Sequence, residues 1–352
     1  MIRKTLFLLT GVSLILLLCN SCQSRKTPPD SAPSTTSETG GLSPDQIATL
    51  NSLERVDEYP LYVMHYQGKY RSGVSYLPAY DTDAAWACSL FATMGDEDQK
   101  IFGRNFDWQF SPAVLLFTDP PDGYASVSMV DIAYLGFENK AENLAELPLV
   151  KRQALLQAPY LPFDGMNEYG LAIGMAAVPE SNMPHDANKP DIGSLAVIRE
   201  ILDHARTVDE AVSIFGKYNI NWDGGPALHY LIAENGGDGN GSGASVLVEF
   251  SDGKMAVLPN DNPWHLATNH LRVNAQGDGG CDRYAKIRQQ LTDTDGKITA
   301  PEAVQLLSDV SQAGDYPTQW SIVYGFSTGE IEVVMGREYS QQHNFLFPLA
   351  GK

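Results

Sequence analysis

A chain of 352 residues, 43% hydrophobic and only 19% charged, is long and apolar enough to bury a full core, which excludes a disordered or fibrous protein. Its 43 acidic against 24 basic residues give a formal net charge of -19 without a basic stripe. Phosphate backbones are repelled by such a surface, so nucleic-acid binding is excluded as well.

Met1-Ile2-Arg3-Lys4, followed by apolar Leu6 to Leu9 and Leu14 to Leu18, predicts an export signal. Thr10, Gly11 and Ser13 interrupt the apolar stretch, which falls short of the roughly 20 residues a membrane span needs. Ser21-Cys22 resembles the lipobox of bacterial lipoproteins. That resemblance implies a signal peptide over residues 1–22, lipidation of Cys22 and anchoring in the bacterial cell envelope, with membrane contact through the lipid alone. A frame ending at Cys19, or plain secretion, stays open.

Residues 23–45 lack bulky apolar side chains and predict a flexible tether. A helix is expected to begin near Leu42-Ser43-Pro44-Asp45, and a strand over Pro60 to Tyr66. Residues 46–87 thus form a structured, propeptide-like segment ahead of a domain over residues 88–352. Within that domain strands are expected at Cys88 to Met94, Ile101 to Phe106, Ser126 to Ala133, Leu171 to Ala177 and Ala227 to Ala233. Further strands are expected at Ser245 to Phe250, Lys254 to Leu258, Trp264 to Thr268, Trp320 to Gly325 and Glu330 to Met335. Helical periodicity covers Ile192 to His204, Val208 to Lys217 behind a Thr207 cap, and Ala300 to Asp309.

The glycine-rich run 236–243 lies between two strands and reads as a hairpin loop, since no helix follows to cradle a phosphate. Asp293 to Ile298 with Glu302 imitates half of a calcium loop, but Leu291 stands where the first carboxylate ligand belongs. Thr299 and Glu302 suit a helix capping box instead. His65, His229, His265 and His270 lack the paired spacing of a metal site, and neither metal nor cofactor is expected.

Two cysteines remain in the body, Cys88 and Cys281, and outside the cytosol they form a candidate disulfide. A second reading starts from Cys88-Ser89-Leu90-Phe91, joined by a short turn to Ile101 to Trp108 as an antiparallel hairpin. Arg104 to Asp107 then lie opposite Cys88, and a guanidinium lowers a thiol pKa of about 8.5 toward the reactive thiolate. A cut between Ala87 and Cys88 frees an α-amine of pKa about 7.7 to 8.0 as general base, which Asp107 suits holding. Arg104 and Asp107 are three apart, so strict alternation sends them to opposite faces, and a bulge or strand end is expected to intervene.

Cys88-Ser89 with Gly103-Arg104-Asn105-Phe106-Asp107-Trp108 resembles the start of the choloylglycine hydrolases and their linear-amide hydrolase, penicillin V acylase-like and acyltransferase relatives. These are N-terminal nucleophile hydrolases. The similarity continues through Phe163 to Ala172, Ala267 to His270 and Asp282 to Tyr284, and ends near Trp320 to Tyr324. The resemblance implies an α+β fold, a four-layer αββα sandwich. It implies Cys88 as nucleophile, Arg104 beside it, Asp107 orienting its amine, Asn167 and Asn269 at the oxyanion hole, and Arg283 as a second arginine of the site.

The activity implied is hydrolysis of a linear carbon–nitrogen amide through an acyl-enzyme thioester. An acyltransferase of the same fold, or a non-catalytic surface lipoprotein with a Cys88–Cys281 disulfide, are the alternatives. Relatives such as acid ceramidase-like amidases carry a propeptide cut autocatalytically, and the 87 residues before Cys88 resemble that arrangement. A small-molecule N-acyl amide is the expected partner, with homo-oligomerisation left open. Trp86, Trp108, Phe110, Phe117 and Tyr124 are candidates for an acyl pocket, and core packing is their ordinary alternative.

Overall fold

The computed structural model describes residues 41–70, 87–138, 140, 142–179, 184–222, 225–236, 244–273, 275 and 277–351. The expected signal peptide, Cys22, most of the tether, Trp86 and the glycine run beyond residue 236 lie outside them. Among the described residues the first half holds α1 (Pro44–Asn51), β1 (Glu54–Asp57), β2 (Leu61–Tyr66), β3 (Ala87–Thr93), β4 (Ile101–Asp107), β5 (Ala113–Thr118), β6 (Ser126–Asp131), α2 (Leu149–Arg152), β7 (Pro162–Asn167) and β8 (Leu171–Ala177). There follow β9 (Asp191–Gly193), α3 (Ala196–His204), α4 (Val208–Phe215), β10 (Asn219–Asn221), β11 (Leu228–Glu234), β12 (Ala244–Ser251), β13 (Lys254–Pro259) and β14 (Trp264–Ala267). The chain ends with α5 (Asp282–Asp293), α6 (Ala300–Asp309), β15 (Thr318–Gly325), β16 (Glu330–Met335) and β17 (His343–Leu346).

A nine-stranded sheet runs β1-β2-β5-β6-β7-β8-β11-β12-β13 and a six-stranded sheet runs β14-β3-β4-β15-β16-β17. Within these two sheets neighbours are antiparallel except β2 and β5, which pair in parallel over six residues, and β9 and β10 form a separate parallel pair. The sheets face each other through β3 and β8, with α3 and α4 over the larger sheet and α5 and α6 over the smaller. This is the expected four-layer αββα sandwich.

Strand alternation builds two cores from β3 and β4. Cys88, Leu90, Ala92, Phe102 and Phe106 point between the sheets, whereas Phe91 and Ile101 pack with Ile287, Leu291 and Leu306 beneath α5 and α6. Gly103 pairs with Phe91 across the two strands, and a Cβ there would lie 2.3 Å from the phenyl ring. The missing side chain is therefore what lets the ring lie over the strand.

Residues 41–70, ahead of Cys88, belong to the sandwich. Ser43 and Gln46 form a capping box that starts α1, and Leu61, Tyr62, Val63 and Met64 are buried where β2 lies between β1 and β5. Two expectations shift. Ile192 lies in β9, not in a helix, and α3 starts at Ala196; the Ser126 strand stops at Asp131, whose carboxylate caps a 3-10 turn over Ile132–Leu135. Strands β1, β5, β7, β10 and β17 and helices α2 and α5 are additions to the elements read from the sequence. At the imitation calcium loop, Thr299 and Glu302 make the capping box of α6.

Candidate active site

Cys88 is fully buried near the start of β3, and three side chains meet it. Arg104 donates from Nη2 to its Sγ at 3.6 Å, and Asn269, two residues beyond β14, accepts its backbone N–H at 2.8 Å. Arg283, in the first turn of α5, donates to its carbonyl oxygen, to Ser89 Oγ at 2.9 Å and to Asn269 Oδ1 at 2.9 Å. Behind these, Asp107 Oδ2 stands 3.6 Å from Arg283 Nη1.

Arg104 is 0% exposed and forms a buried ion pair with Asp164 of β7, whose other oxygen accepts the Tyr324 hydroxyl at 2.6 Å. A guanidinium so far from water requires such a counter-ion. Its face also lies against Phe106 and Trp320, at 5.2 and 5.9 Å from the ring centroids. Burial pushes the Cys88 thiol up from its ordinary range, and the opposing pull of Arg104 is the smaller effect. The expected lowering by Arg104 is thus present and outweighed. In the uncut chain the sulfur is held protonated.

Asp107 ends β4 on the opposite face from Arg104. It accepts from Thr318 Oγ1 at 2.5 Å and Gln312 Nε2 at 2.7 Å, and burial raises its carboxyl to about 6 against those bonds and Arg283. No bulge interrupts β3 and β4; the register shift sits in β15, between Thr318 and Trp320, opposite Asp107. Alternation therefore holds, and the two residues approach Cys88 from the two faces of one strand. Asp107 lies opposite Ala87, beside the peptide bond that precedes Cys88.

Asn167 is not brought to Cys88. Its amide donates to the carbonyls of Leu202 at 3.1 Å and Ala205 at 2.6 Å, and its Oδ1 accepts from Tyr169 and Leu171 N–H at 3.1 and 3.2 Å. It fastens the β7–β8 turn beneath α3, the turn reading, and the oxyanion role is corrected. The residue of β7 that reaches the site is Asp164, three positions earlier. Asn269 remains, with Nδ2 on the carbonyl of Ala177 at 2.9 Å.

Cys88 and Cys281 are both free, so the disulfide is not formed; Cys281 accepts a contact from Thr268 Oγ1 at 3.5 Å. The aromatic candidates are dispersed: Trp108 stacks on Tyr316, Phe110 meets Tyr59, Phe117 stacks on His65 and Tyr124 meets Tyr169. They do not line one pocket. A cleft of about 390 Å³ opens beside Arg283, lined also by Cys281, Lys286, Asp309 and Gln312. Asp164, Tyr324, Thr318 and Gln312 were missed as site residues, although Asp164 and Tyr324 stand inside the motif strings.

The family of acyl-coenzyme A:6-aminopenicillanic acid acyl-transferase matches residues 161–328. A conjugated bile acid hydrolase from Clostridium perfringens superposes with a TM-score of 0.52 at 18% identity, covering 74% of this chain and 92% of that one. The chain has the fold of the N-terminal nucleophile hydrolases. A second crystal structure of that bile acid hydrolase, another variant, gives the same TM-score of 0.52 at 17% identity. Penicillin V acylase of Pectobacterium atrosepticum is 23% identical over 283 residues, 68% of this chain and 71% of the relative. The chain is thus similar to an acyl-transferase family, to a penicillin V acylase and, in fold, to a conjugated bile acid hydrolase.

Proposed function

We propose that the chain hydrolyses a linear carbon–nitrogen amide with Cys88 as nucleophile, after cleavage of the Ala87–Cys88 bond. The observation that carries this reading is the convergence on one residue: a cation at its sulfur, an acceptor at its N–H and a donor at its carbonyl. Cleavage adds water across the Ala87–Cys88 amide and leaves a carboxylate on Ala87 and an amine on Cys88. The amine then takes the thiol proton, with Asp107 near enough to hold it, and the sulfur attacks the substrate carbonyl. Expulsion of the substrate amine, which accepts that proton, leaves a thioester that water hydrolyses. Asn269 Nδ2 and Arg283 supply donors for the transient oxyanion, each such donor contributing about 2.7 to 4 kcal/mol.

A transfer reaction differs only in the final acceptor, an amine in place of water, and the acyl-transferase match over residues 161–328 favours keeping it as the second reading. Export and lipid attachment at Cys22 complete the proposal. They would hold the enzyme at the bacterial envelope, because β2 stays paired within the sheet on either side of the cut.

Turnover of a panel of N-acyl amides, including penicillin V and a conjugated bile acid, tests the reading. Hydrolysis by the wild type and none by Cys88→Ala is expected; turnover surviving in Cys88→Ala would sink it.

A further inference from the structure

A second buried polar pair lies close to the site without touching Cys88. His229 of β11 and Glu249 of β12 are both 0% exposed, on adjacent strands of the nine-stranded sheet. The imidazole bonds in two directions, Nδ1 to Glu249 Oε1 at 2.9 Å and Nε2 to the carbonyl of Thr268 at 2.7 Å. Glu249 also accepts backbone N–H groups, that of Arg272 at 2.8 and 2.9 Å and that of Val273 at 2.8 Å. Both ends of the segment 268–273 are therefore fastened to one pair, and Asn269 lies between the fastenings.

A carbonyl and a carboxylate have no hydrogen to give, so both ring nitrogens must carry one. The bonded ring is an imidazolium. The titratable and charged groups around it are Glu249 from β12, His265 from β14, and His270 and Arg272 from the segment itself. His270 is occupied with Thr268 Oγ1 at 3.0 Å and Arg272 Nη1 at 3.0 Å, and His265 with Ser245 Oγ at 3.1 Å. The segment follows β14 of the smaller sheet, so the pair ties the two sheets together at the residue that accepts the Cys88 N–H.

We infer that His229 and Glu249 are positioning residues that set Asn269 for the chemistry at Cys88. Asn269 must meet three partners at once, the Cys88 N–H, Arg283 Nη2 and the carbonyl of Ala177. Its own backbone is irregular, and the pair replaces the ladder hydrogen bonds that a strand would supply. This inference rests on Cys88 being the nucleophile freed by cleavage.

The test follows cleavage at Ala87–Cys88 by intact mass after cell-free synthesis of the full chain, in wild type, His229→Gln, Asn269→Ala and the double variant. His229→Gln is expected to slow cleavage on the order of tenfold to a hundredfold, the cost of a small misplacement of a reacting group. The double variant should be no slower than Asn269→Ala alone, because His229 acts through Asn269.

Glu249→Gln, which keeps a carbonyl acceptor for Arg272 and Val273, gives the same readout if His229→Gln fails to fold. Wild-type cleavage with His229→Gln equally fast, or slowing that multiplies in the double variant, overturns the inference alone. A wild type that stays whole overturns the nucleophile reading beneath it.

Discussion

Arg104 and Asp164 share one charge pair that water cannot reach, and the thiol of Cys88 lies on its far side. Removing the carboxylate leaves a buried guanidinium without a counter-ion, which costs about 3 to 5 kcal/mol. Asp164→Ala is therefore expected to lower the unfolding free energy by that amount, read as a fall in the denaturant midpoint at unchanged slope, and an unchanged midpoint would refute the pairing. Asp131 carries the opposite problem, since its Oδ1 accepts the Ala133 N–H at 2.9 Å while its buried Oδ2 has no partner. Burial raises its carboxyl from 3.8 to about 7. The folded state then binds the proton more tightly than the unfolded state, so the stability it contributes is full below 3.8 and is lost as pH rises to about 7. Thermal melts of wild type and Asp131→Asn should diverge across that window in favour of the variant, and run parallel above it.

Strands decide which of these residues meet. Arg104 and Asp164 both face the space between the sheets, whereas Asp107 and Asn167 lie three positions further along their strands and point the other way. That parity was legible for Arg104 and Asp107, because alternation needs only the sequence. It was not legible for Asn167, because β7 itself was not recognised: Phe163-Asp164-Gly165-Met166 has a charge and a glycine where a strand signal expects apolar alternation. The elements with strong two-sided apolar runs, β8, β11, β12 and β16, fall within a residue or two of expectation. Gly103 tests the packing at this scale. Gly103→Ala should force the Phe91 ring off the strand and cost about 1 to 3 kcal/mol, read as a lower melting temperature; a neutral substitution would show that the ring has room.

At the scale of the whole molecule, the sandwich is continuous across the bond before Cys88. The segment 41–70 supplies α1, β1 and β2, and its contacts reach far along the chain: Tyr59 to Gln319 at 2.6 Å, Asp57 to His343 at 2.6 Å and Tyr70 to Asp203 at 2.9 Å. A cut after Ala87 should therefore give two chains that co-elute in gel filtration and separate only in denaturant; a small fragment eluting alone would contradict the strand pairing. The αββα layers were legible through the family resemblance that the ordered motifs carry, and strand-rich patterning agrees with them without proving them. The long-range closure of β1 and β2 against β5 was beyond it, since parallel pairing of β2 leaves no local turn signal.

The Cys88 thiol is buried, its N–H is taken by Asn269 and its carbonyl by Arg283, so the proposed nucleophile is latent until the bond before it is cut. Intact mass with N-terminal sequencing of the purified protein, wild type beside Cys88→Ala, measures this directly. The expected result is a new N-terminus at Cys88 in the wild type and an unbroken Ala87–Ala junction in the variant. An uncut wild type that turns over amides, or a variant cut at the same bond, would contradict it.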